Sequence, residues 1–226
     1  MLANLITLNH IPVIAIDGPS ASGKGTVAQL VAKQLGFHYL DSGALYRIVA
    51  LAARQHNIEW NQSDKLGSLA KTLHISFVQS DIFLNDVCIT EAVRSEEMSR
   101  GASEVAVHTA VRAALVQLQH RFRQMPGLVA DGRDMASTIF TDASLKIFLT
   151  AGVEIRAQRR YEQLISKGFD SNLKHILSDL QQRDLRDSAR NASPLIQTAD
   201  ALLLDTTRRT IEQAVEFVIM AYKNII

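Results

Sequence analysis

The segment Gly18-Pro19-Ser20-Ala21-Ser22-Gly23-Lys24-Gly25-Thr26 constrains this chain more than any other, because it fits G-x-x-x-x-G-K between two elements of different periodicity. Ahead of it Pro12 to Asp17 (PVIAID) is short, apolar and rich in Val and Ile, and reads as a buried strand. Behind it Val27, Leu30, Val31 and Leu35 recur at helical spacing until Gly36 closes the segment. Strand, glycine-rich turn and helix in that order let backbone N–H groups converge on phosphate oxygens. The helix N-terminus adds its dipole, and Lys24 reaches the β- and γ-phosphates as a point charge. A plain glycine-rich turn is the alternative, but the lysine at its required spacing favours a nucleoside triphosphate site over Gly18 to Thr26. In the simplest form of the motif Ser or Thr follows the lysine directly as a magnesium ligand. Here Gly25 intervenes before Thr26, which puts direct hydroxyl ligation in question.

The pattern repeats downstream. Phe37 to Leu40 is a short apolar stretch leading to Asp41-Ser42-Gly43 and a helical pattern through Leu45, Ile48, Val49 and Ala52. From Leu73 to Thr90 the pattern alternates, with Ser80-Asp81 and Asn85-Asp86 as turn signals, and predicts a small antiparallel meander. Helical periodicity runs from about Met98 to Phe122. The strand Leu128 to Ala130 then ends in Asp131-Gly132-Arg133-Asp134. A strand at Leu145 to Leu149 precedes polar helical segments over about 153–167 and 172–189. Last come a strand at Ala201 to Leu204 and a helix carrying Ile211, Val215, Val218 and Tyr222. Apolar strands separated by helices predict an α/β fold, a parallel sheet covered on both faces, with the meander and the Arg-rich helices inserted into it.

A length of 226 residues predicts one compact unit with elaborations, and with 11 Gly and 4 Pro there is no linker or low-complexity tract to divide it. Lys plus Arg number 24 against 23 Asp plus Glu, so the net charge does not point to a nucleic-acid or membrane surface, and any anionic ligand must be met locally. The single cysteine, Cys88, excludes an internal disulfide and a thiolate zinc site. The start, MLANLITLNH, has no basic stretch before its apolar residues, and the run Ile11 to Ile16 is far short of the about 20 residues a bilayer requires. A cytoplasmic location is the expectation. The seven histidines are scattered without metal-ligand spacing, and Trp60 reads as local packing.

Asp131 ends an apolar strand, the position of a carboxylate that orients magnesium and its waters, or alternatively of a helix cap. Arg133, at the carboxyl end of a central strand, points toward the ligand crevice of such a sheet, and its guanidinium fork matches phosphate oxygens. Asp41 to Arg47 (DSGALYR) offers a second helix N-terminus with an arginine one turn in, a second phosphate site. Arg156, Arg159 and Arg160 share one helix face, as do Arg183, Arg186 and Arg190. Either trio reads as an anion-binding face or as a solvated one paired to Asp184 and Asp187. No N-K-x-D or T-K-x-D tetrad occurs, which weighs against a GTPase switch.

The combination IDGPSASGKGT, LDSGALYR, ADGRDM and RDLRDSAR resembles bacterial cytidylate kinase, of the nucleoside-monophosphate kinase branch of the P-loop proteins, over nearly the whole chain. The resemblance implies ATP-dependent phosphorylation of CMP and dCMP by in-line transfer, with magnesium held mainly by ATP phosphates and water and no protein metal site. It implies a single kinase domain with a core over about 1–43, 105–153 and 191–226. An acceptor-binding region with its insert would occupy about 44–104, and a lid about 154–190. By the same resemblance Arg47 and Arg133, with Ser42 and Tyr46, hold the acceptor phosphate, while Ser103, Arg112 and Asp134 face the cytosine. That set complements an exocyclic amine donor and the N3 and O2 acceptors. Arg183 and Asp187 would lie near the acceptor sugar. Lys24, Asp131, Arg133, Arg159 and Arg190 form the expected catalytic group. The implied enzyme of pyrimidine nucleotide metabolism is a monomer without nucleic-acid or membrane partners. Two other readings stand beside it: a P-loop kinase of another nucleotide or small molecule, and an ATP-switched regulatory protein, which the clustered arginines disfavour.

Overall fold

Five short segments pair into one parallel sheet whose two central, apolar strands are covered on both faces; the order is β2 (His38–Asp41), β6 (Leu128–Gly132), β1 (Val13–Asp17), β7 (Leu145–Thr150), β8 (Leu202–Asp205). Both β1 and β6 are buried at every residue. The computed structural model describes residues 11–78, 81–166 and 168–225, so the N-terminal stretch 1–10 and Ser80 of the first meander turn lie outside the described residues. Period-two alternation along β1 feeds two cores. Ile14 and Ile16 pack with Val27, Val31, Val215 and Val218 of α1 (Lys24–Leu35) and α8 (Ile211–Lys223). Val13 and Ala15 pack with Leu45, Ile48 and Val49 of α2 (Ser42–Gln55) on the opposite face.

The meander forms as predicted: β3 (Ile75–Val78), β4 (Asp81–Leu84) and β5 (Val87–Cys88) make a separate antiparallel sheet. It joins the second core through Ile82, Leu84 and an edge-on contact of Phe77 with Phe122. The helical stretch predicted as one run from Met98 to Phe122 is in fact two helices, α4 (Glu96–Val105) and α5 (Thr109–Arg121). The break carries no Gly or Pro. It is held from outside by the His108 ring, whose Nε2 lies 2.7 Å from the Trp60 carbonyl oxygen. Trp60 is indeed buried locally, donating its Nε1–H to the Ala50 carbonyl and covering Gly101 so closely that a Cβ there would come within 2.5 Å of the ring. The structure adds α3 (Ser63–Thr72), packed on α5, together with a 3₁₀ turn at Ala92–Arg94 and a π-helical turn at Met135–Ile139, all unassigned from sequence.

The remaining helices, α6 (Val153–Ser166) and α7 (Leu173–Ala189), form a hairpin over the carboxyl ends of the strands and bury few residues: Arg156 and Ala157 from one, Leu180 and Asp187 from the other. The parallel register sets Asp17 opposite Gly132 and Asp41 opposite Asp131, which gathers the polar strand ends at a single edge of the sheet.

At that edge a Cβ on Gly18 would lie 1.9 Å from the Leu149 carbonyl oxygen, an obstacle of backbone rather than of a flexible side chain. Gly18→Ala is expected to cost about 3 kcal/mol of stability through this overlap, read as a lower urea midpoint with an unchanged m-value.

Candidate active site

The loop after β1 turns through Ala21 (φ 59°) and Gly23 (φ 92°), and Gly23 caps α1 without a side-chain hydrogen bond. Only glycine adopts the second geometry without strain, and it leaves the first-turn N–H groups of α1 directed into the loop. Lys24 is 8% exposed, and its Nζ donates to the Pro19 carbonyl at 3.3 Å. Burial, and then the neighbouring Arg133 charge, push the Lys24 pKa down, while Asp131, Asp41 and Asp187 pull the other way. An anionic ligand would raise it again and hold the ammonium form.

Asp17 at the end of β1 is buried and accepts from the backbone N–H groups of Met135 (2.9 Å) and Ala136 (2.8 Å), tying the turn after β6 to the base of the loop. Burial outweighs these two bonds and raises its pKa to about 7. Asp131 is 4% exposed. Burial, then the nearby Asp41 carboxylate, raise its pKa, and Lys24 opposes them. The Tyr39 hydroxyl donates to Asp131 Oδ2 at 2.6 Å. Asp41 caps α2 by accepting from Ala44 N–H, and it is also ion-paired to Arg47, whose Nε atom is buried with no hydrogen-bond partner among the described residues.

One cleft joins most of the residues expected from sequence. Lys24 and Asp131 line it on the loop side with Ser20 and Ala21, and Ser42, Tyr46 and Arg47 line it from α2. Arg133 crosses it, donating to Asp187 Oδ2 (2.8 Å) on α7 and to Ser20 Oγ (2.7 Å) on the loop. Deeper in, Arg112 and Asp134 form a buried ion pair, the Arg112 guanidinium lies 5.8 Å from the Tyr46 ring centroid, and Arg190 Nη2 stops 3.9 Å from Asp134. Ser103 also lines the cleft and accepts from Arg186 Nη1 at 2.9 Å. Arg183 faces the same space, its pKa lowered to about 10 by burial and by Arg133.

Arg159 is placed differently. It donates to the Thr206 carbonyl at 2.6 Å and lines a separate groove on the far side of the loop with Ser22 to Thr26, Thr206 and Ile211. Its neighbour Arg160 is the α6 arginine in the cleft, where it pairs with Glu96. Asp17 and Tyr39 received no site role from sequence. Their signals were a carboxylate closing a buried strand, and the period-two relation that puts Tyr39 on the same face of β2 as Asp41. Among the described residues no group of three or more His, Cys, Asp or Glu is arranged to hold a metal ion.

Because Asp17 holds its proton more tightly folded (about 7) than at the ordinary value of 3.8, its contribution to stability is full at low pH and is lost as pH rises through about 4 to 7. Asp17→Asn removes that titration. Thermal unfolding at pH 5.5, 7 and 8 should show wild type gaining on the variant as pH falls, by on the order of a few kcal/mol over the full range.

The cytidylate kinase family model matches residues 14–224. The cytidylate kinase of Polynucleobacter asymbioticus is 57% identical over 219 residues, covering 97% of this chain and 100% of that protein. That of Burkholderia pseudomallei is 55% identical over 214 residues, covering 95% and 94%. Among solved structures, an uncharacterized protein from Eubacterium ventriosum superimposes with a TM-score of 0.50 at 13% identity, over 95% of this chain and 99% of that one, a likeness of fold alone. Matched across almost its entire length by that family model and by such relatives, this chain belongs to the cytidylate kinase family.

Proposed function

We propose that the protein transfers the γ-phosphoryl group of ATP to CMP and dCMP, releasing ADP with CDP or dCDP. The observation that carries this reading is the single cleft in which Lys24 of the loop and Arg133 meet Arg112, Asp134 and Arg190. One end suits a triphosphate and the other a phosphorylated nucleoside. An oxygen of the acceptor phosphate attacks the γ-phosphorus, the bond to the β–γ bridging oxygen breaks, and its electron pair leaves with ADP. The attacking oxygen is already anionic near neutral pH, so no base is required and catalysis is positioning plus charge neutralisation.

In this reading Gly18 to Thr26 cradle ATP, and the groove beside Arg159 and Thr206 takes its base. Arg47 and Arg133, with Ser42 and Tyr46, hold the acceptor phosphate. Ser103, Arg112 and Asp134 meet the cytosine, with Arg183 and Arg190 closing on sugar and phosphates and Asp187 beside them holding Arg133. Magnesium fits the donor set: Asp131, with Asp41 opposite it, supplies hard carboxylate oxygens beside the loop, and Mg²⁺ binds through one or two carboxylates plus substrate phosphates. It would supply charge neutralisation and phosphate orientation. The segment 154–190 serves as a lid that excludes water and favours transfer over hydrolysis. No helix among the described residues is long and apolar enough to cross a membrane, and a monomeric cytoplasmic enzyme accords with this reading.

A coupled ADP-release assay across nucleoside monophosphates tests the assignment: rates with CMP and dCMP should exceed those with AMP and GMP by more than about tenfold. Equal rates with AMP, or ADP release without an acceptor, overturn it. Lys24→Ala should abolish transfer, whereas Arg133→Ala should lose on the order of 10²-fold in kcat/KM and also raise the acceptor KM. Asp187 accepts from Arg133, so its loss acts through that arginine. Asp187→Ala is expected to lower kcat/KM by the same factor with CMP and dCMP. A distinctly larger loss with CMP would assign Asp187 to the ribose 2′-hydroxyl instead.

A further inference from the structure

We infer that the Tyr39 hydroxyl compensates for the hydroxyl missing at Gly25: it holds Asp131 by one carboxylate oxygen and leaves the other free on the side of the loop where ATP with magnesium would bind. This rests on the reading that ATP with magnesium occupies the loop. Three observations converge on it. Gly25 stands where the simplest form of the motif has a Ser or Thr hydroxyl. An ideal Cβ on Gly25 would lie 3.4 Å from Asp131 Oδ2 and 3.6 Å from the Tyr39 hydroxyl oxygen, so both atoms sit where a side chain of residue 25 would begin. Those two atoms are bonded to each other at 2.6 Å.

The sheet explains how a residue so far along the chain reaches this point. In the β2–β6 register Tyr39 is opposite Val129 and Asp41 opposite Asp131, so Tyr39 and Asp131 are diagonal neighbours on one face, within reach of a long aromatic side chain. Asp41 and Asp131 are like charges at opposed positions, and without a donor on one of its oxygens the Asp131 carboxylate would turn away from its neighbour rather than toward the loop. A phenol has a single proton to give. Directed at Oδ2, it leaves Oδ1 for the cleft that Asp131 lines. Tyr39 is thus a positioning residue that acts through Asp131, where the simplest form of the motif uses a hydroxyl at position 25 as a direct ligand.

The test uses the full-length enzyme and a fluorescent, non-hydrolysable ATP analogue titrated with magnesium in the absence of any acceptor. Tyr39→Phe keeps the ring and deletes the hydroxyl. Its half-saturating magnesium concentration should rise about tenfold, the loss of a hydrogen bond to a charged group, while analogue affinity in EDTA stays at the wild-type value. Adding Gly25→Ser to Tyr39→Phe should bring the magnesium requirement back to within about twofold of wild type, since a serine Cβ fits at 3.4 Å and its hydroxyl reaches the same carboxylate oxygen. Tyr39→Leu, with and without Gly25→Ser, repeats the comparison with a residue of different shape. An unchanged magnesium requirement overturns the inference, as does an affinity loss of equal size with and without magnesium, or a serine that restores nothing in either background. Wild type that shows no magnesium-dependent binding of the analogue overturns the ATP reading along with it. Wild type that binds normally but shows no preference for CMP overturns only the acceptor assignment and leaves the Tyr39 comparison valid.

Discussion

Both carboxylate oxygens of Asp17 accept backbone N–H groups from the turn after β6, and the cleft depends on that clasp. The parallel pairing of β1 with β6 brings Asp17 level with Gly132, and the two hydrogen bonds then bend the chain at Met135 and Ala136 away from the sheet. Arg133 and Asp134 are left projecting across the strand ends. A Cβ on Gly132 would come within 2.5 Å of Ser42 Oγ, so α2 is seated equally closely against the same turn. Loop, turn and α2 therefore share one rigid base, as in-line chemistry requires of groups that must meet within a few tenths of an ångström. The cost is electrostatic. For this buried carboxylate the two backbone donors and the Arg133 charge offset only part of the desolvation, which is why burial dominates its pKa.

The cleft is under opposite stress on its other walls. Lys24, Arg133 and Arg183 crowd together closely enough that the Arg133 charge helps depress the pKa of each of the other two. Arg190 is similarly lowered, by burial and by Arg112. The carboxylates Asp131, Asp134 and Asp187 offset only part of this. Phosphates entering the site relieve the repulsion and are bound by groups already desolvated, so much of the binding energy is prepaid in the fold. Net charge gave no hint of such a field, because charges elsewhere cancel it.

What the sequence disclosed follows the range of the interactions involved. β1, the loop and α1 are set by neighbours in the chain, and Gly36 ends α1 in the left-handed conformation its position demanded. The meander was readable because alternation and turn residues are local signals. The break between α4 and α5 was not, since it depends on Trp60 and His108, residues brought together by packing rather than by a Gly or Pro at Ala106 to His108. Site residues divide in the same way. Lys24, Arg133 and Asp134 sit inside motifs, whereas Tyr39 acquires its partner only through the β2–β6 register, which a sequence does not display. The i, i+3, i+4 spacing placed Arg156, Arg159 and Arg160 on one face, but that face is wide enough to straddle the loop. Arg156 supports it from beneath, donating to the Ser20 carbonyl, Arg159 lies in the groove beyond, and Arg160 lies in the cleft.

The α6–α7 hairpin is fastened in a manner suited to opening. Its buried apolar contribution is little more than Ala157 and Leu180, while Leu173 and Leu185 are exposed, so hydrophobic burial does little to hold it down. On the cleft side polar links do that work: Arg156 to the Ser20 carbonyl, Arg160 to Glu96, Arg186 to Ser103, and Arg133 to Asp187. With so little apolar surface buried, the hairpin belongs to the less stable part of the molecule. Two of the four links end on residues that the proposed acceptor touches, Ser103 and Arg133, and Arg133 also grips Ser20 of the loop. Filling the cleft with charged phosphates therefore changes the very bonds that seat the hairpin. In the proposed reading of 154–190 as a lid, closure would answer to occupancy of both halves of the site at once, sealing the reacting groups from water only with donor and acceptor both present.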